Sequence, residues 1–316
     1  MLLILTVNYN CSRLIEGLVE NTLSTDDPDI RMIIVDNSPN DAGLKHLYCH
    51  PNITILSASS NLGFGAGCNL GLAYAEEKHP ESIVWLLNPD ARLLPGAKEN
   101  VRRALSENNA YGVLGTRIQD LEGQIWFDRG RFDPWFGRLL HRLTPSAAAA
   151  CTETTLSEPS DWLSGCSLVL HLQRLIEPAR FDPQIFLDYE DAELCLRLRQ
   201  QGHPARVTKD ILVEHAISSV TGRAPLAKYR HATFSKLYVL DKHATPLALL
   251  LNLIYFCLRP ITYLHYDGTQ ARGRWAGLID YLNWRWRQIK GDRRLIHPRT
   301  SFTDPSRGIA SEGKSQ

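Results

Sequence analysis

Short apolar runs that end abruptly in polar residues dominate the first part of this chain. Their boundaries are residues 2–7, 31–35, 53–56 and 83–87. Runs of this length, rich in β-branched side chains, are typical of strands that are buried on both faces. Helical patterns lie between them. Strands that alternate with helices predict an α/β fold, in which a doubly wound, mostly parallel sheet is flanked by helices.

Polar residues follow three of these strands directly, namely Asn8, Asp36 and Asp90. The carboxyl ends of parallel strands meet at one edge of the sheet, where open α/β sheets bind ligands. Pro89 ends the fourth strand and places Asp90 at that edge. An aspartate there is a natural ligand for a divalent cation that carries phosphates, although it could simply close a turn. Asp36 could accept hydrogen bonds from a nucleoside or, equally well, cap its own turn.

A glycine-rich stretch follows the third strand, with Gly63, Gly65 and Gly67 between Asn61 and Asn69. Its spacing differs from the dinucleotide fingerprint, and it does not follow the first strand, so we exclude a nicotinamide site. We interpret the stretch as a loop whose small residues let the backbone approach a ligand closely. The N-terminus of the helix that follows would favour negative charge.

Four acids crowd the start of a predicted helix that ends at Gly202. They are Asp188, Glu190, Asp191 and Glu193. The helix dipole explains one acid at this place, whereas four repel one another, which raises the pKa of some of them. A raised carboxyl pKa suits a general base that works near neutral pH. His215 ends a later predicted strand and could bind a metal or a phosphate, or be structural.

The composition excludes several classes of protein. A formal net charge of +1 gives no indication of a nucleic-acid partner. The seven cysteines are scattered and include no CxxC pair, which argues against a zinc site or a disulfide framework and fits a reducing cytosol. The first residues lack a basic segment and are interpreted as a strand rather than a signal peptide. Residues 120–160 are interpreted as a long loop, whose aromatic side chains could bind a sugar or lipid or simply pack it down.

The C-terminal part has a different character. Residues 246–258 are almost wholly apolar, and Arg259 and Pro260 interrupt the run. We predict a helix that lies in a membrane interface rather than spanning it, followed at 272–290 by an amphipathic helix with tryptophans and basic residues. Packing on the rest of the protein, or on a second subunit, is the alternative. The expected domains are therefore 1–245, 246–290 and a disordered polar tail at 291–316.

A series of motifs occurs in a fixed order along the chain: residues 6–10 (TVNYN), 35–38 (VDNS), 61–65 (NLGFG) with Asn69, 87–90 (LNPD), Gly165 and 189–197 (YEDAELCLR). In this combination the chain resembles the family 2 glycosyltransferases of GT-A fold, in their rhamnosyltransferase-like branch. The resemblance covers about residues 1–240, and the last motif is the most specific. It implies an inverting transfer of a sugar from a nucleotide diphosphate to a hydroxyl of a cell-surface glycan precursor, which could be lipid-linked.

The resemblance also implies roles for particular residues. Asp36 would hold the nucleoside, and Asp90 would bear Mg²⁺ or Mn²⁺ with help from His215. Asp191 would be the base, while spacing alone leaves Glu190 and Asp188 open. The residues expected at the nucleotide sugar are Thr6, Asn8, Tyr9, Asp36, Asn61, Gly63, Phe64, Asn69, Asn88, Asp90 and Gly165. Asn88 stands where many relatives carry the first aspartate of D-x-D, which predicts weak metal affinity.

The branch favours L-rhamnose linked to dTDP as the donor, with UDP-linked sugars as the alternative. The expected location is the inner face of the cytoplasmic membrane, with a homo-oligomer possible. Two other functions stay open. A sugar nucleotidyltransferase would need a glycine-rich basic loop after the first strand, which residues 8–13 do not provide. An inactive protein that only binds a sugar nucleotide is disfavoured by the intact acids at 188–193. The basic stretch 223–231 could close over a diphosphate or be a solvated helix face.

Overall fold

The structure is a computed structural model, which describes residues 1–23, 27, 29–38, 43–141, 155–216, 225–263, 267–292 and 302–303. The strands in this part are β1 (Leu2–Asn8), β2 (Ile30–Asp36), β3 (Ile53–Ala58), β4 (Ile83–Leu87), β5 (Ala91–Leu93), β6 (Val113–Gln119), β7 (Ile125–Phe127), β8 (Gly130–Asp133), β9 (Arg138–His141), β10 (Ser157–Pro159), β11 (Ser167–His171), β12 (Arg206–His215) and β13 (Phe302–Thr303). The α-helices are α1 (Ser12–Leu23), α2 (Phe64–Lys78), α3 (Ala97–Ser106), α4 (Glu190–Gln200), α5 (Pro225–His243), α6 (Pro246–Tyr263) and α7 (Gly268–Ile289).

One large mixed sheet organises the molecule, in the order β10-β12-β6-β11-β4-β1-β2-β3-β13. The neighbours β4, β1, β2 and β3 are parallel, whereas β11 runs antiparallel to both β4 and β6. Helices cover both faces, so every residue of β1 is buried. This confirms the predicted α/β fold with a mixed, mostly parallel sheet, and its first four strands lie where the apolar runs placed them.

The glycine-rich stretch is helical rather than a loop from Phe64 onward, which corrects the prediction for residues 64–69. The physical reason is packing. A Cβ atom on Gly71 would lie 2.2 Å from Leu5, and one on Gly67 would lie 3.0 Å from Val7. The glycines therefore let α2 pack directly on β1, and this contact outweighs the low intrinsic helix propensity of glycine.

The described parts of residues 120–160, which are 120–141 and 155–160, contain strands β7 to β10 rather than only the predicted loop. Charged side chains hold this region to the sheet. Arg117 on β6 binds the fully buried Asp128, with its Nε atom 2.6 Å from Oδ1, and also binds Glu158 on β10. The alanine run at 147–150 lies outside the described residues, as do residue 223 of the basic stretch and most of the predicted tail.

Helices α5, α6 and α7 pack together on a second apolar core, which Ile185 and Leu196 connect to the sheet domain. Helix α6 continues through Pro260 to Tyr263, so the interruption seen in the sequence is not a helix end. By length and composition, α6 is the one helix in the described part of the chain that could cross a membrane. Only 22% of its apolar window is buried in the protein.

Candidate active site

Asp90 and His215 face each other because β5 pairs antiparallel with β12, which puts Ala91 opposite His215. The imidazole Nε2 atom lies 3.1 Å from the carboxylate Oδ1 atom, and both side chains are only 7% exposed. The ring of Trp126 lies against the imidazole, with centroids 4.6 Å apart. Nδ1 of His215 has no hydrogen-bond partner within the described residues. The pair is thus a partly enclosed site with one oxygen and one nitrogen donor.

This donor set fits a divalent cation that shares its ligands with a substrate. Mg²⁺ is usually held by one or two carboxylates together with substrate phosphates, and imidazole is a common ligand of transition metals. In the described ranges, no group of three or more histidine, cysteine or acidic side chains could form a closed metal cage. The arrangement therefore suits a metal that completes its coordination with a diphosphate.

The acids that precede and begin α4 are held on a strained turn. Asp188 and Tyr189 are consecutive residues with φ of 63° and 66°, a region that side chains other than glycine seldom adopt. Such conformations cost about 1–3 kcal/mol each and persist only where the surrounding structure enforces them. Ser235 on α5 helps to enforce this one, since its buried hydroxyl donates to the carbonyl oxygen of Leu187 at 2.8 Å.

Asp191 is connected through backbone contacts to the turn that carries Asp90. Its Oδ2 atom accepts from the Gly165 amide at 2.8 Å, and its Oδ1 atom from the Ala192 amide at 2.7 Å. The next residue, Cys166, accepts from the Asn88 amide at 3.2 Å, which joins the turn after β4 to the segment before β11. Burial raises the pKa of the Cys166 thiol, and the carboxylates of Asp90 and Asp191 raise it further. The charges of Asp90 and Asp191 thus act on the same thiol.

The environments of the three candidate bases differ. Burial raises the pKa of Asp188 to about 6, with Lys228 opposing and Asp191 adding to the shift. Burial also raises the pKa of Asp191, against the hydrogen bonds from the amides of Gly165 and Ala192. The pKa of Glu190 lies well above its usual value because of burial, Asp191 and Asp188. Its charge acts on the Cys68 thiol in α2, so Glu190 faces the interior.

Glu193 behaves in the opposite way. Burial alone would raise its pKa, but its contacts with His243 and Arg197 hold the pKa below the usual value. The Arg197 Nε atom lies 2.9 Å from its Oε1 atom. Glu193 therefore belongs to a structural ion pair one turn away from the candidate bases.

The ends of β1 and β2 form a separate hydrogen-bond network. The Asn8 side-chain amide donates to Asp36 at 3.0 Å, and the Ser38 backbone amide donates to the same oxygen at 3.1 Å. Asn37, which the sequence did not single out, donates to Asn61 at 3.0 Å. The two strand-end residues and Asn61 are thus brought together as predicted from the order of the strands.

Other predicted site residues hold α2 against the segment before α4. The Asn69 side chain donates to the Phe181 carbonyl at 2.9 Å and accepts from the Phe181 amide at 2.8 Å. The Phe64 ring packs edge-on against Phe181, and a Cβ atom on Gly165 would lie 3.1 Å from Phe64. Gly63 has φ of 83°, and a Cβ atom there would lie 2.3 Å from the Phe186 carbonyl oxygen.

Two predicted residues at the first strand differ in exposure. Thr6 is buried, and its hydroxyl has no hydrogen-bond partner in the described part of the chain. Tyr9 is 42% exposed. Sequence reasoning missed Trp126, Cys166 and Ser235 as parts of the site. For Trp126 the aromatic content of its region was the only signal, because contact with His215 depends on pairing between distant strands.

Several solved structures have a similar fold. The crystal structure of GalNAc-T7 with UDP, GalNAc and Mn²⁺ superposes with a TM-score of 0.63 at 12% identity, over 93% of this chain and 58% of that one. The S. aureus TarS 1-349 structure gives a TM-score of 0.52 at 13% identity, over 92% and 91% of the two chains. The fold is that of the GT-A glycosyltransferases.

Sequence comparison indicates a narrower group among the glycosyltransferases. The family described as glycosyl transferase family 2 matches residues 3–156. The N-acetylglucosaminyl-diphospho-decaprenol L-rhamnosyltransferase of Mycobacterium tuberculosis is 26% identical over 247 residues, which is 72% of this chain and 80% of that protein. Rhamnosyltransferase WbbL of Escherichia coli K12 is 25% identical over 212 residues, or 64% and 78% of the two chains. The first part of the chain therefore matches glycosyl transferase family 2, and the chain as a whole is similar to rhamnosyltransferases.

Proposed function

We propose that this protein transfers L-rhamnose, with inversion at the anomeric carbon, from a dTDP-linked donor to a hydroxyl of a lipid-linked glycan precursor. The reaction would take place at the inner face of the cytoplasmic membrane. The family and the rhamnosyltransferase relatives support the donor sugar, and the decaprenol-linked substrate in the name of the M. tuberculosis relative supports the acceptor class. The observation that supports the mechanism is a link between the two carboxylates: Asp191 accepts from the Gly165 amide, and the next residue, Cys166, accepts from the amide of Asn88, two residues before Asp90.

On the donor side, the network at the ends of β1 and β2 would bind the nucleoside, with Asp36 accepting hydrogen bonds from it. Asp90 and His215 would hold Mg²⁺ or Mn²⁺, whose positive charge neutralises the departing nucleotide diphosphate. The hydrogen bond between Asp90 and His215 orients both ligands before the donor binds. Trp126 shields the imidazole from water and keeps its ring in place.

On the acceptor side, Asp191 would remove the proton from the attacking hydroxyl. The acceptor oxygen forms a bond to the anomeric carbon while the bond from that carbon to the diphosphate oxygen breaks, and the proton passes to Asp191. The amides of Gly165 and Ala192 fix the carboxylate, and its raised pKa makes it a stronger base. Glu190 is buried whereas Asp191 is half-buried, which favours Asp191 over Glu190.

A donor screen tests this proposal. The purified protein would be incubated with dTDP-, UDP- and GDP-linked sugars and a lipid-linked acceptor, and both nucleotide release and the coupled product would be measured. We expect transfer from dTDP-L-rhamnose, and a product whose anomeric configuration by NMR is opposite to that of the donor. Transfer only from another nucleotide sugar, or retention of configuration, would contradict the proposal.

The membrane location rests on an apolar face of α6. Its large side chains are 44–59% exposed and recur at helical spacing, namely Leu247, Leu250, Leu251, Ile254, Tyr255, Leu258 and Ile261. Exposed apolar residues in a continuous stripe are typical of helices that lie in a membrane interface. The face therefore supports attachment of the protein to the surface from which a lipid-linked acceptor is reached.

Vesicle sedimentation tests this attachment. Combined substitution of Leu250→Asn, Ile254→Asn and Leu258→Asn should weaken partitioning about 100-fold, since about half of each side chain is exposed and its burial in lipid contributes about 1 kcal/mol. The matched control is the pair Leu121→Asn and Ile176→Asn, whose side chains are 64% and 79% exposed elsewhere. If the two sets behave alike, the stripe is not the membrane-binding face.

A further inference from the structure

A cluster of cations lies between the C-terminal helices and the hairpin of β8 and β9. It consists of Lys236 on α5, Arg274 on α7 and Arg138 on β9. Lys236 and Arg274 lie over the same Phe256 ring. Asn252 on α6 donates to the carbonyl oxygen of Phe136, in the turn before β9, which places the hairpin beside α6. Burial lowers the pKa of Lys236, and the charges of Arg274 and Arg138 lower it further. Within the described ranges none of them forms an ion pair with an acidic side chain.

Nearby cations on the same helices are neutralised. Arg230 on α5 pairs with Asp280, with its Nε atom 2.5 Å from Oδ2, and Arg285 pairs with Asp241 at 3.4 Å. Like charges held together without acids are unfavourable in a partly buried place. The cluster therefore has the electrostatic character of a site for an anion.

Aromatic rings fix the two central cations. The Lys236 Nζ atom lies 5.7 Å from the centroid of Phe256, and the Arg274 Cζ atom lies 5.9 Å from the same centroid. Arg274 also lies 5.6 Å from the Tyr229 ring and 5.4 Å from the Tyr263 ring. Its buried Nε atom has no hydrogen-bond partner in the described part of the chain. The guanidinium is thus held in place by ring contacts while its donors remain available for oxygen ligands.

The cluster lies between the acid turn and the apolar face of α6. Tyr189, which follows Asp188 directly, packs against the second apolar core that contains Phe256. Phe256, which contacts both cations, follows Tyr255 directly on α6, and the exposed Ile254 and Leu258 lie on the apolar face. Contacts therefore lead from the acid turn through Tyr189 to Phe256 with its two cations, and along α6 to the apolar face.

We infer that Lys236 and Arg274, with Arg138, form the binding site for the diphosphate of the lipid-linked acceptor. This inference rests on the proposed function and deepens it. A sugar attached through a diphosphate to an isoprenoid lipid presents hydroxyl, anionic and apolar groups in the same order as the protein presents its acids, cations and apolar face. Arginine and lysine bind phosphate oxygens with strong, charge-assisted hydrogen bonds. Tyr189 would lie beside the acceptor sugar.

A binding measurement tests the inference without requiring catalysis. The probe is a water-soluble, short-chain isoprenyl diphosphate, titrated into the full-length protein by calorimetry in the absence of membranes. Lys236→Met and Arg274→Gln should each weaken binding about tenfold or more, because each removes a charged donor from the phosphates. Lys242→Met on α5 and Arg272→Gln on α7 are matched controls, with exposed side chains on the same helices.

Several results would overturn the inference. Unchanged affinity for the probe in the Lys236 and Arg274 variants would overturn it. An equal loss of affinity in the two control variants would also overturn it, because the probe would then be bound by the general positive charge of the surface. Phosphatidylglycerol vesicles form a further arm. If the Lys236 and Arg274 variants lose vesicle binding but keep affinity for the probe, the cluster binds bulk lipid headgroups instead. Lys236→Arg and Arg274→Lys keep the charge and should keep most of the affinity, which separates a binding defect from a folding defect.

Enzyme kinetics then separate this site from the proposed function. In an active preparation, the two neutral variants should raise the acceptor KM about tenfold or more and leave the donor KM unchanged. A rise in the donor KM instead would overturn the assignment. If no tested donor supports transfer, the proposed reaction fails, while the calorimetric result still decides whether the cluster binds a diphosphate.

Discussion

The donor side and the acceptor side of the proposed site differ in how their polar residues are held. On the donor side, the polar side chains at the ends of β1 and β2 bind one another, as Asn8 does with Asp36 and Asn37 with Asn61. On the acceptor side, Asp188 and Tyr189 have left-handed backbone conformations. Burial there raises carboxyl pKa values, and one oxygen of Glu190 has no partner within the described residues.

This difference indicates that the acceptor side lowers the stability of the fold, whereas the donor side contributes to it. A satisfied hydrogen-bond network contributes to folding, whereas strained backbone and buried carboxylates oppose it. Stability and activity often conflict at catalytic sites for this reason. We therefore expect substitutions on the acceptor side to affect rate strongly, and some of them to stabilise the fold. Substitutions of the donor-side network should lower stability and donor affinity together.

The largest effect is expected for Asp191→Asn, which removes the proposed base. The rate of transfer should fall about 10³-fold, within the usual range for loss of general base catalysis. Glu193→Gln is the control, because Glu193 lies on the same helix but is bound to Arg197. It should lower the melting temperature and leave the rate within a few fold. A loss of less than about tenfold in Asp191→Asn would remove Asp191 as the base.

The next effect concerns the metal. Asp90→Asn should reduce the rate about 100-fold and raise the concentration of Mn²⁺ or Mg²⁺ needed for half-maximal activity. His215→Gln should raise that concentration about tenfold, because Asp90 would retain the principal charge. The measurement is a metal titration after dialysis against a chelator. Full activity of the unaltered protein in excess chelator would show that Asp90 and His215 do not serve a metal.

The first half of the fold was predictable because its signals are local. Short apolar runs mark strands β1 to β4. Further along the chain, α4 is marked in the same local way by the acids at its start and by Gly202 after its end. The helical start of α2 was not predictable, since glycines disfavour helices and only contact with β1 makes them favourable there. Likewise, the interior position of Pro260 in α6 depends on packing, which overrides its tendency to end a helix.

The site was predictable in its residue types but not in its contacts. The resemblance proposed Asp90, Asp191 and His215, and the crowding of acids proposed Asp188 and Glu190 as alternative bases. The antiparallel pairing of β5 with β12 that brings Asp90 to His215 joins distant segments, and β5 itself is too short to give a sequence signal. The positive φ of Asp188 and Tyr189 has no signature either, because neither residue is a glycine.

A smaller effect should appear in stability when Asp188 is replaced by Asn. Burial raises the pKa of Asp188 from 3.8 to about 6. The native state therefore binds a proton more tightly than the unfolded chain does, and the associated stability is present below pH 4 and lost as the pH rises through about 6. Asparagine carries no charge and tolerates the left-handed conformation, so the variant should be more stable by about 2–3 kcal/mol at pH 8.

Denaturant unfolding at several pH values measures this difference. The gain of Asp188→Asn over the unaltered protein should be large at pH 8 and shrink toward zero as the pH approaches 4. A gain that is independent of pH would mean that relief of backbone strain, rather than removal of a buried charge, is responsible. A loss of stability at pH 8 would contradict the claim that this turn opposes folding.

The smallest effect tests the junction between the two sides. Asn69 on α2 binds both the amide and the carbonyl of Phe181, in the segment that leads to the acid turn. Asn69→Ala leaves both backbone groups without that partner and should cost about 1–3 kcal/mol of stability. Because both polar ends of the Asn69 side chain are already engaged by Phe181, the donor KM should change little.

Asn61→Ala is the matched control, since Asn61 accepts from Asn37 at 3.0 Å and from the Gly63 amide at 2.9 Å on the donor side. It should raise the donor KM as well as lower stability. If Asn69→Ala raised the donor KM as much as Asn61→Ala, without destabilising the fold, then Asn69 would contact the nucleotide sugar directly. The donor-binding surface would then extend onto α2, and α2 would belong to the hydrogen-bonded donor side rather than to the junction with the strained acceptor side.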